Sequence, residues 1–204
     1  GDGPGTNESD FEKSFNIIAE YVDNNIPYII TEDVELIEEY SELNAMIEWS
    51  SSNEDILSFV GSATPDKSKA EEVTLSYKVM IGAEEKTGTK TVIVSPATVE
   101  QVLQRFERQF SSSITRDYNV KTSFYELFEV TWYSTDEALF DNNGKYHKPK
   151  NDTDFEIKYT LKCKEYESEE KTLKLTAIGQ SELEKIEEVQ EWLTTEAMLE
   201  LSLT

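Results

Sequence analysis

Ile30-Thr31-Glu32-Asp33-Val34-Glu35-Leu36 and Ile114-Thr115-Arg116-Asp117-Tyr118-Asn119-Val120 are two versions of one phrase, set 84 residues apart. Ile47-Glu48-Trp49-Ser50-Ser51 is echoed by Val130-Thr131-Trp132-Tyr133-Ser134, and Gly61 by Gly144, each 83 residues on. Leu75-Ser76-Tyr77 returns as Ile157-Lys158-Tyr159, and Lys90-Thr91-Val92-Ile93-Val94 as Lys171-Thr172-Leu173-Lys174-Leu175. An internal repeat decides the architecture before any propensity is weighed. This period is too long for a solenoid unit and suits a small domain used twice. It divides the 204 residues into a flexible tether (1–8), a first unit (9–95), a second unit (96–180) and a closing segment (181–204).

Each unit is expected to open with a helix and continue as strands. Ser9-Asp10-Phe11-Glu12 fits a capping box, in which the serine accepts from an early amide and the glutamate reaches back. Phe11, Phe15, Ile18 and Val22 then recur at helical spacing. The second unit offers Ser95-Pro96 as a cap with a first-turn proline, or Thr98 with Gln101 as a box. Val99, Leu103, Phe106 and Phe110 follow as its apolar stripe. Beyond each helix the periodicity falls to two. Leu43, Ala45, Ile47 and Trp49 share one parity, as do Phe128, Val130 and Trp132. Val73 to Ile81 and Phe155 to Cys163 alternate over longer runs, and Thr89–Val94 and Lys171–Ala177 end the units. Such alternation marks strands with one buried face, and with polar turns between them it predicts a mainly β fold of sandwich type. No helical crossover separates the later strands, which disfavours a parallel α/β sheet.

The closing segment carries another capping box, Ser181-Glu182-Leu183-Glu184, and a helical face of Leu183, Ile186, Val189 and Leu193. Thr195-Glu196-Ala197-Met198-Leu199-Glu200-Leu201 is similar to Thr31–Leu36. This helix therefore reads as the start of a third unit, or as a cap on the array.

Hydrophobic residues make up 37% of the chain, enough for two small cores and too many for a disordered polymer. No apolar run reaches the ~20 residues that cross a bilayer. The net charge of −23 argues against nucleic acid, whose binding draws on a basic patch and counterion release. Residues 11–95 hold 17 acidic and 6 basic side chains against 15 and 12 over 96–180, so the first unit is the acidic one. A single cysteine, Cys163, rules out an intramolecular disulfide and leaves each core to packing.

The block from Ile30 to Val94 resembles the bacterial Ig-like modules of the atrophied bacterial Ig type. The residues that carry the resemblance are Ile47-Glu48-Trp49-Ser50-Ser51-Ser52-Asn53, Gly61-Ser62-Ala63-Thr64-Pro65, Val73-Thr74-Leu75 and Lys90-Thr91-Val92-Ile93-Val94. The second copy, with Val130-Thr131-Trp132-Tyr133-Ser134-Thr135-Asp136, Gly144 and Pro149, is more divergent. The resemblance implies two tandem Ig-like β-sandwiches. It further implies an extracellular or cell-surface bacterial location with a signal sequence removed, a lipoprotein anchor among the options. It brings no catalytic residue with it. The leading helix of each unit departs from the minimal pattern of those modules.

Residues able to carry chemistry are few. Trp49 and Trp132, with Tyr77 and Tyr159, fall on inward rows and read as structural core. A sugar-stacking role is the alternative for the tryptophans. Cys163 continues the row of Ile157, Tyr159 and Leu161, and reads as a small buried hydrophobe. His147 is the only histidine and sits in a turn-like stretch, too little for a zinc site or a catalytic triad. Asp141-Asn142-Asn143-Gly144 and Asp152-Thr153-Asp154 are oxygen-rich without the spacing of a dedicated calcium loop, so each reads as a hydrogen-bonded turn. Glu165, Glu167, Glu169 and Glu170, like Glu84 and Glu85, guard strand edges.

The expectation is a non-enzymatic, monomeric spacer or adhesion module without metal or cofactor, meeting a protein or glycan at the cell surface. A carbohydrate-binding accessory module is the nearest alternative, with Tyr125, Tyr133 and Tyr146 as candidate ligand contacts. A hydrolase using paired carboxylates is the more distant one.

Overall fold

Helix α1 (Asp10–Asn25) begins where its cap predicts: Ser9 Oγ accepts from the Glu12 amide at 3.1 Å. It ends at Ile26, whose extended conformation is the one a residue before proline is pushed into. Phe15, Ile18, Val22 and Ile26 form its buried face. The computed structural model describes residues 8–203. The tether expected over 1–8 therefore lies, save its last residue, outside the described residues.

Five strands follow in the first unit: β1 (Ile29–Ile30), β2 (Glu39–Tyr40), β3 (Ala45–Ser51), β4 (Glu71–Ile81) and β5 (Glu84–Val94). They join in the order β1-β5-β4-β3-β2. β1 lies parallel to β5, with Ile30 opposite Val94, and the other pairs are antiparallel. The β4–β5 hairpin is the spine, registered from Glu71 opposite Val94 to Ile81 opposite Glu84. Along β4 the buried residues are Val73, Leu75, Tyr77 and Val79, the period-two row read from the sequence. That row meets the α1 face, Ala45 and Ile47 of β3, Val92 and Val94 of β5, and Leu57 from the loop between β3 and β4. Burying side chains of this size contributes ~1.5–3 kcal/mol each before chain entropy is set against it.

Helix α2 (Val99–Glu107) starts from the Thr98–Gln101 box. Thr98 Oγ1 accepts from the Gln101 amide (3.2 Å), and Gln101 Oε1 from the Thr98 amide (2.9 Å). The other cap suggested by the sequence is used differently. Ser95 is buried, and its hydroxyl donates to the Ala97 carbonyl at 2.6 Å. The strands that follow are β6 (Ser113–Ile114), β7 (Ser123–Phe124), β8 (Phe128–Ser134), β9 (Thr153–Cys163), β10 (Tyr166–Glu167) and β11 (Lys171–Ala177). Their order, β6-β11-β9-β8-β7 with β10 beside β9, repeats that of the first sheet. β6 is again parallel to the last strand, with Ile114 opposite Ala177. Phe155, Ile157, Tyr159, Leu161 and Cys163 make the buried row of β9.

Among the described residues the fold is thus mainly β, with two curled sheets and three helices. The hydrogen bonds join each set of strands in one curled sheet, with β10 paired to β9 off the main path of the second. Two compact units result. One extends to Val102 and includes Phe124–Phe128; the other comprises Leu103–Ser123 and the chain from Glu129 onward. The third helix, α3 (Glu182–Ser202), has its predicted cap, with Ser181 Oγ accepting from the Glu184 amide at 3.1 Å, and contains no buried residue. Among the described residues no helix is long and apolar enough to cross a membrane.

Candidate functional site

The phrase that opens the sequence is a clasp. In the first unit Asp33 Oδ1 accepts from the Ala63 amide (2.8 Å), while the Val34 amide donates to the Gly61 carbonyl (2.9 Å). In the second, Asp117 Oδ1 accepts from the Tyr146 amide (2.9 Å) and the Tyr118 amide donates to the Gly144 carbonyl (2.8 Å). Gly61 and Gly144 are required here twice over. Their φ angles are +83° and +79°, and an added Cβ would stand 2.0 Å from the Val34 carbonyl oxygen and 2.2 Å from that of Tyr118. The segment after each tryptophan closes the other side. Ser51 Oγ accepts from the Asn53 amide and Ser134 Oγ from that of Asp136, both at 3.2 Å. The residues repeated along the chain therefore pin the loop between the third and fourth strands of each sheet.

Trp49 and Trp132 are half-buried rather than sealed in the core. Trp49 stands opposite Tyr77 with ring centres 5.5 Å apart, and its indole N–H donates to the Ile37 carbonyl at 2.8 Å. Trp132 stands opposite Tyr159 and packs against Phe110 (6.1 Å) and Phe140 (6.0 Å). Tyr77 and Tyr159 are buried, and each takes a ring from its helix: Phe15 at 6.0 Å and Phe106 at 5.0 Å. The Tyr159 hydroxyl donates to Glu107 on α2, a partner that apolar periodicity alone does not reveal. Burial pushes the Tyr77 phenol above its ordinary range, with the Asp23 charge adding to the effect.

The three candidate ligand tyrosines occupy separate elements. Tyr125 lies in the turn between β7 and β8 at φ +48°, half-buried, with its ring edge-on to Phe128 at 6.5 Å. Tyr146 follows Gly144 and is half-buried, its hydroxyl donating to the Ile178 carbonyl. Burial raises its pKa. Tyr133 alone presents an open face, 44% exposed on the outer row of β8, with its hydroxyl 3.3 Å from Glu170 Oε2. A free ring flanked by a carboxylate is chemistry suited to stacking on a sugar.

The oxygen-rich loops spend their carboxylates on protein donors. Asp141 Oδ1 accepts from the Asn143 and Lys145 amides (2.9 and 3.0 Å), and its other oxygen is 3.5 Å from His147 Nε2. These bonds, the Lys145 amide foremost, hold its carboxyl below the ordinary range. Asp152 Oδ1 accepts from the Gly179 amide (2.8 Å) and Asp154 Oδ1 from the Thr176 hydroxyl (2.7 Å). Among the described residues no three His, Cys, Asp or Glu side chains gather as a metal-binding group. Cys163 is buried, and desolvation pushes its thiol up to about 11, the reverse of an activated nucleophile.

Two open clefts were not foreseen. In the second unit a space of about 560 Å³ is lined by Ser112 and Thr135, by Asp154, Glu156, Lys174 and Thr176 on the outward rows of β9 and β11, and by Phe155 and Leu175 between them, a mixed polar and apolar wall. In the first unit a space of about 490 Å³ is lined by Glu38, Met46, Glu48, Trp49, Phe59 and Met80. Met46 and Phe59 are each 55% exposed there, so its floor is apolar, and of its two acids Glu48 is paired with Lys78 at 2.7 Å. Met46, Glu48 and Met80 lie on the outward parity, and strand alternation says nothing about outward residues gathering with a loop phenylalanine.

No protein-family model matches this chain, and none of the curated proteins does. Among solved structures it is similar to zebrafish RET cadherin-like domains 1 to 4, at 10% identity and a TM-score of 0.25 over 74% of this chain. The chain spans 46% of that structure's length. It is also similar to human protocadherin-24 EC1-2, at 14% identity and a TM-score of 0.22, covering 78% of this chain and 96% of the other.

Proposed function

We propose that this chain is a non-enzymatic spacer and adhesion module at a bacterial cell surface or in secretion, built from two copies of a helix-led Ig-like unit. The observation that carries the reading is where the repeated residues are spent. Asp33 and Asp117, Gly61 and Gly144, and Ser51 and Ser134 all close their own loops. Selection for a shape held twice accounts for that pattern without a reactive group. The adhesive part of the reading rests on the apolar cleft around Trp49, which suits an apolar segment of a partner. The test is a screen of the purified chain for turnover of glycan and peptide substrates, with surface-immobilised binding measured alongside. Hydrolysis of any of them overturns the proposal. Saturable binding that Trp49→Phe or Phe59→Ser weakens, in protein that remains folded, supports it.

Carbohydrate recognition is the second reading, favoured by the exposed ring of Tyr133 beside Glu170. Glycan-array binding that disappears in Tyr133→Ala would select it over the spacer role. A stacked sugar contributes on the order of 1 kcal/mol, so the loss should be several-fold in Kd.

A further inference from the structure

α3 has the dress of a unit-leading helix. The apolar stripes of the first two helical segments share one spacing, three then four then four: Phe15, Ile18, Val22, Ile26, and Val99, Val102, Phe106, Phe110. In α3 the stripe is Leu183, Ile186, Val189, Leu193, spaced three, three, four. Phe106 follows Val22 by 84 residues, and Val189 follows Phe106 by 83. Both stripes are buried save Val99, which is half-buried, with Phe15 stacked on Tyr77 and Phe106 against Tyr159. All four α3 residues are more than half exposed, as is Trp192. A solitary 21-residue helix without an alanine-rich sequence is marginal in water, so this face calls for a cover.

Charge says what kind. α1 flanks its stripe with acids that meet lysines of the last strand: Glu12 with Lys86 at 2.8 Å, and Asp23 with Lys90 at 3.1 Å. The segment 181–204 carries seven glutamates and one lysine, Lys185. Lys185 is taken by Asn151 and Glu182, and Glu184 by Lys148, all at 3.0 Å, which moors the first turn of the helix to its own unit. The other glutamates disfavour a second α3 as cover, because like charges would line both helices. They match a sheet whose last strand carries lysines. In α1 and α2 the covered sheet is made by the residues that follow the helix.

We propose that Leu183, Ile186, Val189 and Leu193 dock on the apolar face of a further curled β-sheet, built like the two present and formed by the segment that follows α3 in the full-length chain. Thiol protection tests it. Cys163 is buried, so Ile186→Cys adds one reactive thiol on the stripe, and Glu188→Cys adds one on the acidic face as control. Reaction with Ellman's reagent is timed in residues 1–204 and in the full-length product of the natural reading frame. Ile186→Cys should react at least about tenfold more slowly in the full-length protein, while Glu188→Cys is unchanged. Equal rates for Ile186→Cys overturn the proposal, as does a reading frame that adds no β unit after α3. Protection already present in residues 1–204 and growing with protein concentration overturns it too, by making a second copy the cover.

Discussion

Replacing Gly61 with alanine separates two costs that positive φ usually confounds. Gly61 (φ +83°) and Gly82 (φ +61°) stand in the same unit and both occupy left-handed backbone. An added Cβ at Gly82 meets nothing within 4 Å, whereas at Gly61 it stands 2.0 Å from the Val34 carbonyl oxygen and 3.3 Å from the Leu36 side chain. Gly82→Ala should therefore cost only the conformational penalty, about 1 kcal/mol. Gly61→Ala adds a backbone collision that cannot be relieved by a rotamer. The loop must back away, breaking Val34 N–H to Gly61 and Ala63 N–H to Asp33, bonds of 2.9 and 2.8 Å. At ~1 kcal/mol for each bond lost, the total is about 3 kcal/mol, a large part of a small unit's stability. The assay is urea denaturation followed by amide signals resolved for each unit, because a single transition for the whole chain would mix two cores. The midpoint of the first unit should fall with an unchanged slope, and by about three times as much as in Gly82→Ala. Equal shifts in the two variants would refute the reasoning, since the close approach of Val34 would then carry no weight.

Two further outcomes follow from the sheets. Cys163 has its thiol pKa raised from 9.0 to about 11, so the folded state holds that proton more tightly than the unfolded chain. Its contribution is fully present below pH ~9 and is lost as the pH rises through ~11, on the order of 2–3 kcal/mol in all, and a Cys163→Ala variant should lack that alkaline loss in a pH series of melts. Gly88 lies opposite Tyr77, and a Cβ there would sit 2.3 Å from the ring. Gly88→Val should expel that ring from α1 at a cost of ~2–3 kcal/mol, read as a lower Tm with loss of the Phe15–Tyr77 ring contact in NMR spectra.

Faces were legible in this sequence and pairings were not. The helix caps at Ser9 and Ser181, the buried rows of β4 and β9, and the span of β11 all stand where periodicity and capping chemistry place them. The last echo shows where such reading ends. By sequence, Lys90–Val94 matches Lys171–Leu175. By pairing, Val94 lies opposite Ile30 and Ala177 opposite Ile114, so Lys90 corresponds to Leu173, two residues further on. A slip of two keeps every side chain on its own face, so alternation cannot detect it. The candidate site was hidden for a related reason. Asp33 meets the amide of Ala63, thirty residues away, and a backbone amide leaves no mark on the residue type that supplies it. Only the recurrence of Asp117 in front of Gly144 hinted at the clasp.

That two-residue difference in pairing also sets what each unit does with its central tyrosine. Tyr77 and Tyr159 are equivalent through Trp49 and Trp132, yet the strand opposite offers Gly88 to one and Lys171 to the other. Over Gly88 the ring settles against the neighbouring strand and stacks on Phe15, with Lys86 held 4.6 Å above Phe15 by Glu12. Tyr159 instead faces Lys171 across the ladder. It leans on Phe106 and directs its hydroxyl to Glu107. The helix is thus fastened by a cation over a ring in one unit and by a phenol–carboxylate bond in the other. The interface that binds helix to sheet is freer to vary than the loop clasp, which a carbonyl oxygen 2.0–2.2 Å from any added Cβ holds to glycine in both. A third helix with its own stripe and its own glutamates needs only an apolar sheet of matching parity to be fastened in a third way.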